Sequence, residues 1–337
     1  MKLDVGLAAS LTEVPAAARN AEETGFDALW SAETGHDPYL PLLLAAEHTE
    51  RIKLGTAIAV AFPRSPLIHA MTAWDLQAAS RGRFVLGLGT QVKGHNERRF
   101  GIKWDSPGPR LREMIQMIRA AWDCFQNGTK PSFEGKFYRF TLMTPFFQPQ
   151  PIEHPEIPIY IAGVNEYMCR LAGELCDGFH VHPLNSVKYL EEFVRPKIAE
   201  GAARAGRPVS ACKLTTSAFV IPGDTEEERA PIRSMVRQQI SFYASTPPYR
   251  PILETHGWGD VGPKLSEKAR AGDWAGMADL VTDEMIDVYS VTGKWDDIAD
   301  LVKQRYEGLL DHLCFYLPPA PTDPPERWRE IARAFNG

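Results

Sequence analysis

The sequence predicts an α/β fold, a (β/α)8 TIM barrel. Two observations carry this. Eight short apolar segments alternate with stretches of helical period, and such alternation builds a parallel sheet. The length, 337 residues, suits eight strand–helix units closed into a barrel better than an open sheet. No linker, short-period repeat or low-complexity segment divides the chain. Residues 1–337 therefore read as a single domain with insertions after strand four and before strand eight.

Leu3 to Ala9 reads as strand one, and Ser10-Leu11-Thr12-Glu13 as a capping box for a helix that runs to Thr24 and stops at Gly25. Phe26 to Ser31 is strand two. Pro38 opens a helix through His48. Ile52 to Val60 is apolar and β-branched with little alternation, as expected of a strand covered on both faces. Ser65 suits an N-cap and Pro66 the first helical position. That helix, about Leu67 to Ser80, carries Met71, Trp74 and Ala78 on one side, and Gly82 ends it. Phe84 to Leu88 is strand four.

Gln91 to Gly108 reads as a long polar loop, and long loops after strands are where function concentrates. A helix spans about Pro109 to Asn127, and an irregular stretch to Pro158 holds a hairpin around Gly135. Ile159–Ala162 and Phe179–Val181 are strands five and six, each followed by a helix (Asn165–Cys176, Tyr189–Ala205). Lys213 to Ile221 is strand seven, with a helix from Asp224 to Tyr243. Ala244 to Gly308 is an insertion of two or three helices. His312 to Leu317 is strand eight, and Glu326 to Phe335 closes the chain.

Net charge is −6 and no block of Lys or Arg stands out, which argues against nucleic acid and anionic membranes as partners. The chain enters a strand at once, without a signal-peptide pattern, and no apolar run is long enough to span a bilayer. The five cysteines lack metal spacing and read as reduced, buried thiols of a cytoplasmic protein.

Candidate chemistry clusters where strands end. Gly163-Val164-Asn165 joins a strand to a helix. Asn165 can cap that helix, its free first-turn amides and dipole suit an anion, and Gly163 lets a phosphate approach. The same fragment also fits a plain strand–helix turn. His180 and His182 share one face of strand six and read as the polar wall of a cofactor pocket; a metal pair is the alternative. Strand one, where barrel hydrolases usually carry such a pair, has no histidine. Glu33, His36 and Asp37 follow strand two, and His36 is the candidate general acid or base. Asn96, after strand four, suits hydrogen bonding to a polar ring edge. Arg64 is either the holder of an anionic tail or a surface residue.

In combination, Lys53-Leu54-Gly55-Thr56-Ala57-Ile58, Arg64-Ser65-Pro66, Ser80-Arg81-Gly82-Arg83, Leu86-Gly87-Leu88-Gly89-Thr90 and Pro158-Ile159-Tyr160-Ile161-Ala162-Gly163 resemble the bacterial luciferase-like superfamily. The stretch from Ala32 to Ile52 is most similar to its branch of oxidoreductases that use the deazaflavin coenzyme F420. The resemblance implies a tricyclic cofactor at the C-terminal mouth of the barrel, and a non-prolyl cis peptide at Ala57–Ile58 forming a bulge behind the ring. It implies that Gly163 and Val164 hold the cofactor phosphate, that Glu33 and Asn96 lie near the ring, and that the protein is a homodimer through its second and third helices. Thr34, Gln91 and Val92 depart from the sugar-phosphate dehydrogenase branch.

The expectation is an F420-dependent oxidoreductase moving a hydride to or from a small organic substrate. Its cofactor-binding residues are Glu33, Ala57, Ile58, Asn96, Gly163, Val164, Asn165 and His182, and it has no metal. The alternatives are an FMN-dependent luciferase-like monooxygenase, a metal-dependent barrel hydrolase on His180 and His182, and a non-catalytic relative.

Overall fold

The computed structural model describes residues 1–320 and 322–336. Its strands are β1 (Lys2–Gly6), β2 (Ala28–Ser31), β3 (Lys53–Thr56), β4 (Ala59–Val60), β5 (Phe84–Gly89), β6 (Phe133–Glu134), β7 (Arg139–Phe140), β8 (Ile159–Gly163), β9 (Gly178–Val181), β10 (Lys213–Pro222), β11 (Ser290–Gly293) and β12 (His312–Phe315). Parallel pairing runs β1–β2–β3–β5–β8–β9–β10–β12 and returns from β12 to β1, which closes an eight-stranded barrel. The short pair β6–β7 is the antiparallel hairpin expected at Gly135.

Helices α1 (Val14–Thr24), α2 (Leu40–His48), α3 (Pro66–Ala79), α4 (Lys93–Arg98), α5 (Pro107–Asn127) and α6 (Glu166–Leu175) cover the first half. Local signals set several ends. Gly25 takes a left-handed φ of 98° after α1, and Ser65 Oγ accepts the Ile68 N–H at the start of α3. The capping box forms by half: Glu13 accepts from the Ser10 N–H at 3.0 Å, but the Ser10 hydroxyl turns to that carboxylate, at 2.6 Å, and α1 begins only at Val14.

Three expectations are corrected. In α3 only Trp74 of the predicted trio is buried; Met71 is 42% exposed and Ala78 is exposed, and the buried side runs instead through His69, Ala70, Ala73 and Gln77. The loop after β5 contains α4. The insertion before β12 holds four α-helices between Arg250 and Tyr289, then β11 and a further helix, Ile298–Tyr306. β11 extends the sheet outward by pairing with the last four residues of β10, which have left the barrel wall. Downstream of β9, the predicted helix changes register through a π-helical turn, Leu190–Val194, just before Pro196, which has no N–H to continue the α ladder.

The barrel interior is packed rather than hollow. Trp30, Val85 and Tyr160 form its apolar centre with Ala28. Beneath them Asp4 accepts from Trp30 Nε1 at 2.8 Å and pairs with His312 Nδ1 at 3.0 Å. The second, larger core lies between strands and helices. All five cysteines are free and buried, and no helix among the described residues is long and apolar enough to cross a membrane.

Candidate functional site

The third barrel strand breaks at its C-terminal end. Gly55 pairs with Val85 and Ala59 with Leu88, so three residues (56–58) face two (86 and 87) and β3 bulges away from β5. The Ala57–Ile58 peptide in this bulge is cis. Side chains replace the missing ladder bonds. Thr56 Oγ1 accepts from the Gly87 N–H at 2.8 Å and donates to the Gly87 carbonyl at 2.7 Å.

Close approach explains two glycines of the motif on β5. A Cβ on Gly87 would stand 1.8 Å from the Thr56 carbonyl oxygen, and one on Gly89 would stand 2.7 Å from Ile58 Cγ1. Ala57 and Ile58 are partly exposed at the mouth, with the closely packed barrel interior beneath them.

Glu33 braces the other side of the bulge. Its Oε2 accepts from the Val60 N–H at 2.7 Å and from Arg64 Nη1 at 2.9 Å, and its Oε1 from Arg64 Nη2 at 3.1 Å. Arg64 also donates to Asp37 Oδ2 at 2.7 Å, so its guanidinium is committed to carboxylates of the chain itself. Burial opposes ionisation of Asp37, but the Tyr39 N–H, donated to Oδ1 at 2.8 Å, and the Arg64 guanidinium hold its carboxyl below the ordinary range. Under this pair Tyr39 donates to His69 Nδ1 at 2.6 Å, and His69 Nε2 donates to the Ala61 carbonyl at 2.9 Å. Burial pushes the His69 imidazole down to about 4.

The remaining candidates occupy different depths. His36 is exposed on the loop after β2. Asn96 is fully buried in α4; its amide donates to the carbonyls of Thr90 (2.9 Å) and Val92 (3.1 Å), while its Oδ1 has no donor among the described residues. Arg99 donates to the Thr34 carbonyl and so ties the loop after β5 to the loop after β2.

Asn165 caps α6 by accepting the Met168 N–H at 3.0 Å, which leaves the Glu166 and Tyr167 amides without acceptors among the described residues. A Cβ on Gly163 would stand 2.4 Å from Met168 Cβ. The Val164 carbonyl accepts from Tyr189 Oη at 2.9 Å. The Glu166 carboxylate is engaged by Arg170 and Lys197, which offsets its charge at this helix end.

His180 and His182 do not act as a pair. His180 lies within the barrel, its ring 4.9 Å from Trp30 and 5.4 Å from Tyr160. His182, one step nearer the mouth, packs against Tyr243 (4.5 Å) and Tyr249 (4.4 Å). Burial pushes both imidazoles down to about 3. Among the described residues no three histidine, cysteine or carboxylate side chains gather as a metal site.

Sequence reasoning missed the wall opposite the bulge. Tyr243 and Tyr316 share a hydrogen bond of 2.7 Å, and Tyr316 donates to Gln239 at 3.1 Å. Tyr316 directly follows β12, and that strand-end position was the signal available for it. Tyr249 lies in the insertion and carried no such signal. The Ser186–His256 contact (2.7 Å) and the Lys188–Thr255 contact (2.8 Å) pin this insertion beside the mouth.

The arrangement offers a flat redox ring with a phosphate-bearing tail what it needs. There is a small apolar shelf at Ala57–Ile58, a helix start with free amides, and an unpartnered buried acceptor on Asn96. The residues present fit such a group.

Comparison with known proteins gives the family of the chain. An uncharacterized protein of Mycobacterium tuberculosis is 45% identical over 93% of this chain and 92% of its own length. A 5,10-methylenetetrahydromethanopterin reductase of Archaeoglobus fulgidus is 31% identical over 84% and 83%. The solved coenzyme F420 dependent tetrahydromethanopterin reductase of Methanopyrus kandleri superposes with a TM-score of 0.78 at 22% identity, covering 99% of this chain and 97% of that one. Residues 2–312 match the family described as luciferase-like monooxygenase, and the chain belongs to that family.

Proposed function

We propose that the protein is an oxidoreductase that binds coenzyme F420 and moves a hydride between its deazaflavin ring and a small organic substrate. The observation that carries the reading is the bulge at Ala57–Ile58. It is fixed from both sides, by Thr56 on Gly87 and by Glu33 on Val60, and it leaves Ala57 and Ile58 partly exposed at the mouth as an apolar surface for a ring to rest on. The reductases similar to this chain, one of them named as coenzyme F420 dependent, favour deazaflavin over FMN.

When bound, the deazaflavin supplies a carbon centre that gives or takes a hydride as one two-electron unit. The chain supplies placement. Ala57 and Ile58 back one face of the ring, so substrate meets the other. The Glu166 and Tyr167 amides, capped by Asn165 and approached past Gly163 and Val164, hold the phosphate. Asn96 Oδ1, buried without a donor among the described residues, would accept from the polar edge of the ring. Glu33 positions the shelf, and His36, exposed at the rim, is the candidate for proton transfer to or from the substrate through water at the mouth. The loop after β5 and the insertion before β12 limit water at the mouth. Exposed Leu40, Leu43, Ile68 and Met71 on α2 and α3 supply the face of a homodimer.

Titration of the purified protein with F420, and separately with FMN, followed by visible absorbance and equilibrium dialysis, tests the reading. Saturable binding of F420 at micromolar concentration, with FMN at least tenfold weaker, is expected. Binding of FMN alone, or of neither, overturns it.

A further inference from the structure

We propose that His182 is a catalytic hydrogen-bond donor that presents a neutral Nε2–H to the oxygen of a carbonyl substrate. The substrate class is then aldehydes or ketones in one direction and the matching alcohols in the other. This rests on the hydride-transfer reading above.

The argument begins with register. His180 faces the barrel axis, against Trp30 and Tyr160, and residues two apart on a strand share a face. His182 therefore faces the same axis one step beyond β9, in the mouth. Its tautomer is fixed. The Leu184 N–H donates to Nδ1 at 3.1 Å, so Nδ1 carries no proton and Nε2 does. The ring cannot turn freely, because Tyr243 stands perpendicular to it at 4.5 Å and Tyr249 lies at 4.4 Å. Nε2 has no acceptor among the described residues. It is a rigid, uncommitted donor.

The hydroxyls of Tyr243 and Tyr316 are spent. Tyr316 donates its proton to Gln239 Oε1, so in the Tyr243–Tyr316 contact Tyr243 is the donor. Tyr249 keeps a free hydroxyl and is the competing candidate. No carboxylate is in contact with the His182 ring; the titratable groups packed on it are Tyr243 and Tyr249. Burial keeps the imidazole neutral, so it acts as a polariser and not as an acid.

In the reduction, the hydride from the reduced cofactor bonds to the carbonyl carbon and the C=O π pair moves onto oxygen. The Nε2–H hydrogen-bonds the forming alkoxide, which then takes its proton from water at the mouth. The cofactor is the species oxidised, and His182 keeps its proton throughout.

Two measurements test this. The first is ring 15N NMR of the labelled protein without cofactor. It is expected to report the Nε2–H tautomer unchanged from pH 5 to pH 8, with an Nε2 shift on adding isobutyramide, an unreactive carbonyl probe. Titration in that range, the opposite tautomer, or no response to isobutyramide overturns the proposal.

The second compares variants that keep the melting temperature of the parent. His182→Phe is expected to weaken isobutyramide about tenfold and to lower kcat for carbonyl reduction about a hundredfold, with F420 affinity within threefold. His182→Gln, which retains an N–H donor, is expected to recover at least tenfold of the lost kcat. Tyr249→Phe keeps the ring against His182 and removes only the hydroxyl, so it is expected to cost less than His182→Phe in both measurements. A larger loss in Tyr249→Phe than in His182→Phe overturns the assignment. Failure of F420 binding with the NMR result intact defeats the cofactor reading alone, whereas normal F420 binding with no effect of His182→Phe defeats this one alone.

Discussion

Thr56 and Gly87 share two hydrogen bonds across the point where β3 and β5 stop pairing, one in each direction through a single hydroxyl. The hydroxyl replaces a missing rung of backbone ladder. Thr56→Val keeps the shape and removes both bonds, which leaves the Gly87 N–H and C=O buried without partners. An unpaired buried polar group costs about 1–3 kcal/mol, so urea denaturation should show a loss of about 2–3 kcal/mol. Cofactor affinity should fall with it, because the shelf loses its inner support.

The two glycines beside the bulge should fail in different ways. A Cβ on Gly87 meets backbone at 1.8 Å, whereas one on Gly89 meets the side chain of Ile58 at 2.7 Å. Gly87→Ala should yield little folded protein. Gly89→Ala should fold with a modest drop in melting temperature, while Ile58 shifts and F420 binds at least tenfold more weakly. Equal damage from both would count against a role for Ile58 in the shelf.

Arg64→Ala should cost more than Glu33→Gln. Removing the guanidinium leaves Glu33 and Asp37 facing each other without a cation, and Glu33 is 6% exposed at its side chain. The amide in Glu33→Gln still accepts the Val60 N–H. Stripping one partner from a buried pair costs about 3–5 kcal/mol, and solvent access to Arg64 reduces that toward about 2–3 kcal/mol. Chemical denaturation of both variants gives the order.

Asn165→Ala removes the α6 cap, worth about 1 kcal/mol of stability. The same change should weaken binding of F420 more than binding of its phosphate-free deazaflavin fragment. Isothermal titration with both compounds separates lost anchoring from general loosening.

Acid should destabilise the fold before the carboxylates titrate. The folded His69 imidazole sits near 4, below the ordinary value of 6.5, so the unfolded chain binds more protons between those limits. Stability is full above about pH 6.5 and is lost as pH falls toward 4. The contribution is on the order of 3 kcal/mol for this residue, with His180 and His182 adding in the same direction. Urea midpoints between pH 4 and pH 7 should show a shallower slope in His69→Gln.

If α2 and α3 form a dimer face, Met71→Glu should convert the protein to a monomer in light scattering after gel filtration, with secondary structure intact. An unchanged mass would remove that surface from consideration.

Much of the barrel was legible in the order of residues. The Ser65–Pro66 start of α3, the Gly25 stop of α1, the hairpin at Gly135 and the strand–helix alternation depend on neighbours within a few positions, where capping and periodicity act. The motif glycines on β5 were visible as well, but their reason was not. Only the parallel pairing of β3 and β4 with β5, and the bulge within it, brings Gly87 under Thr56 and Gly89 against Ile58. Likewise the sequence offered Arg64 as the holder of an anionic tail or a surface residue and set Met71 on one side with Trp74; the fold spent the first on Glu33 and Asp37 and turned the second outward. The wall of His182, Tyr243, Tyr249 and Tyr316 is assembled from positions up to 134 residues apart, so no local pattern could announce it. Short-range chemistry determined the elements of this protein. The partners of each buried polar group, and hence the shape of the mouth, were decided by long-range packing.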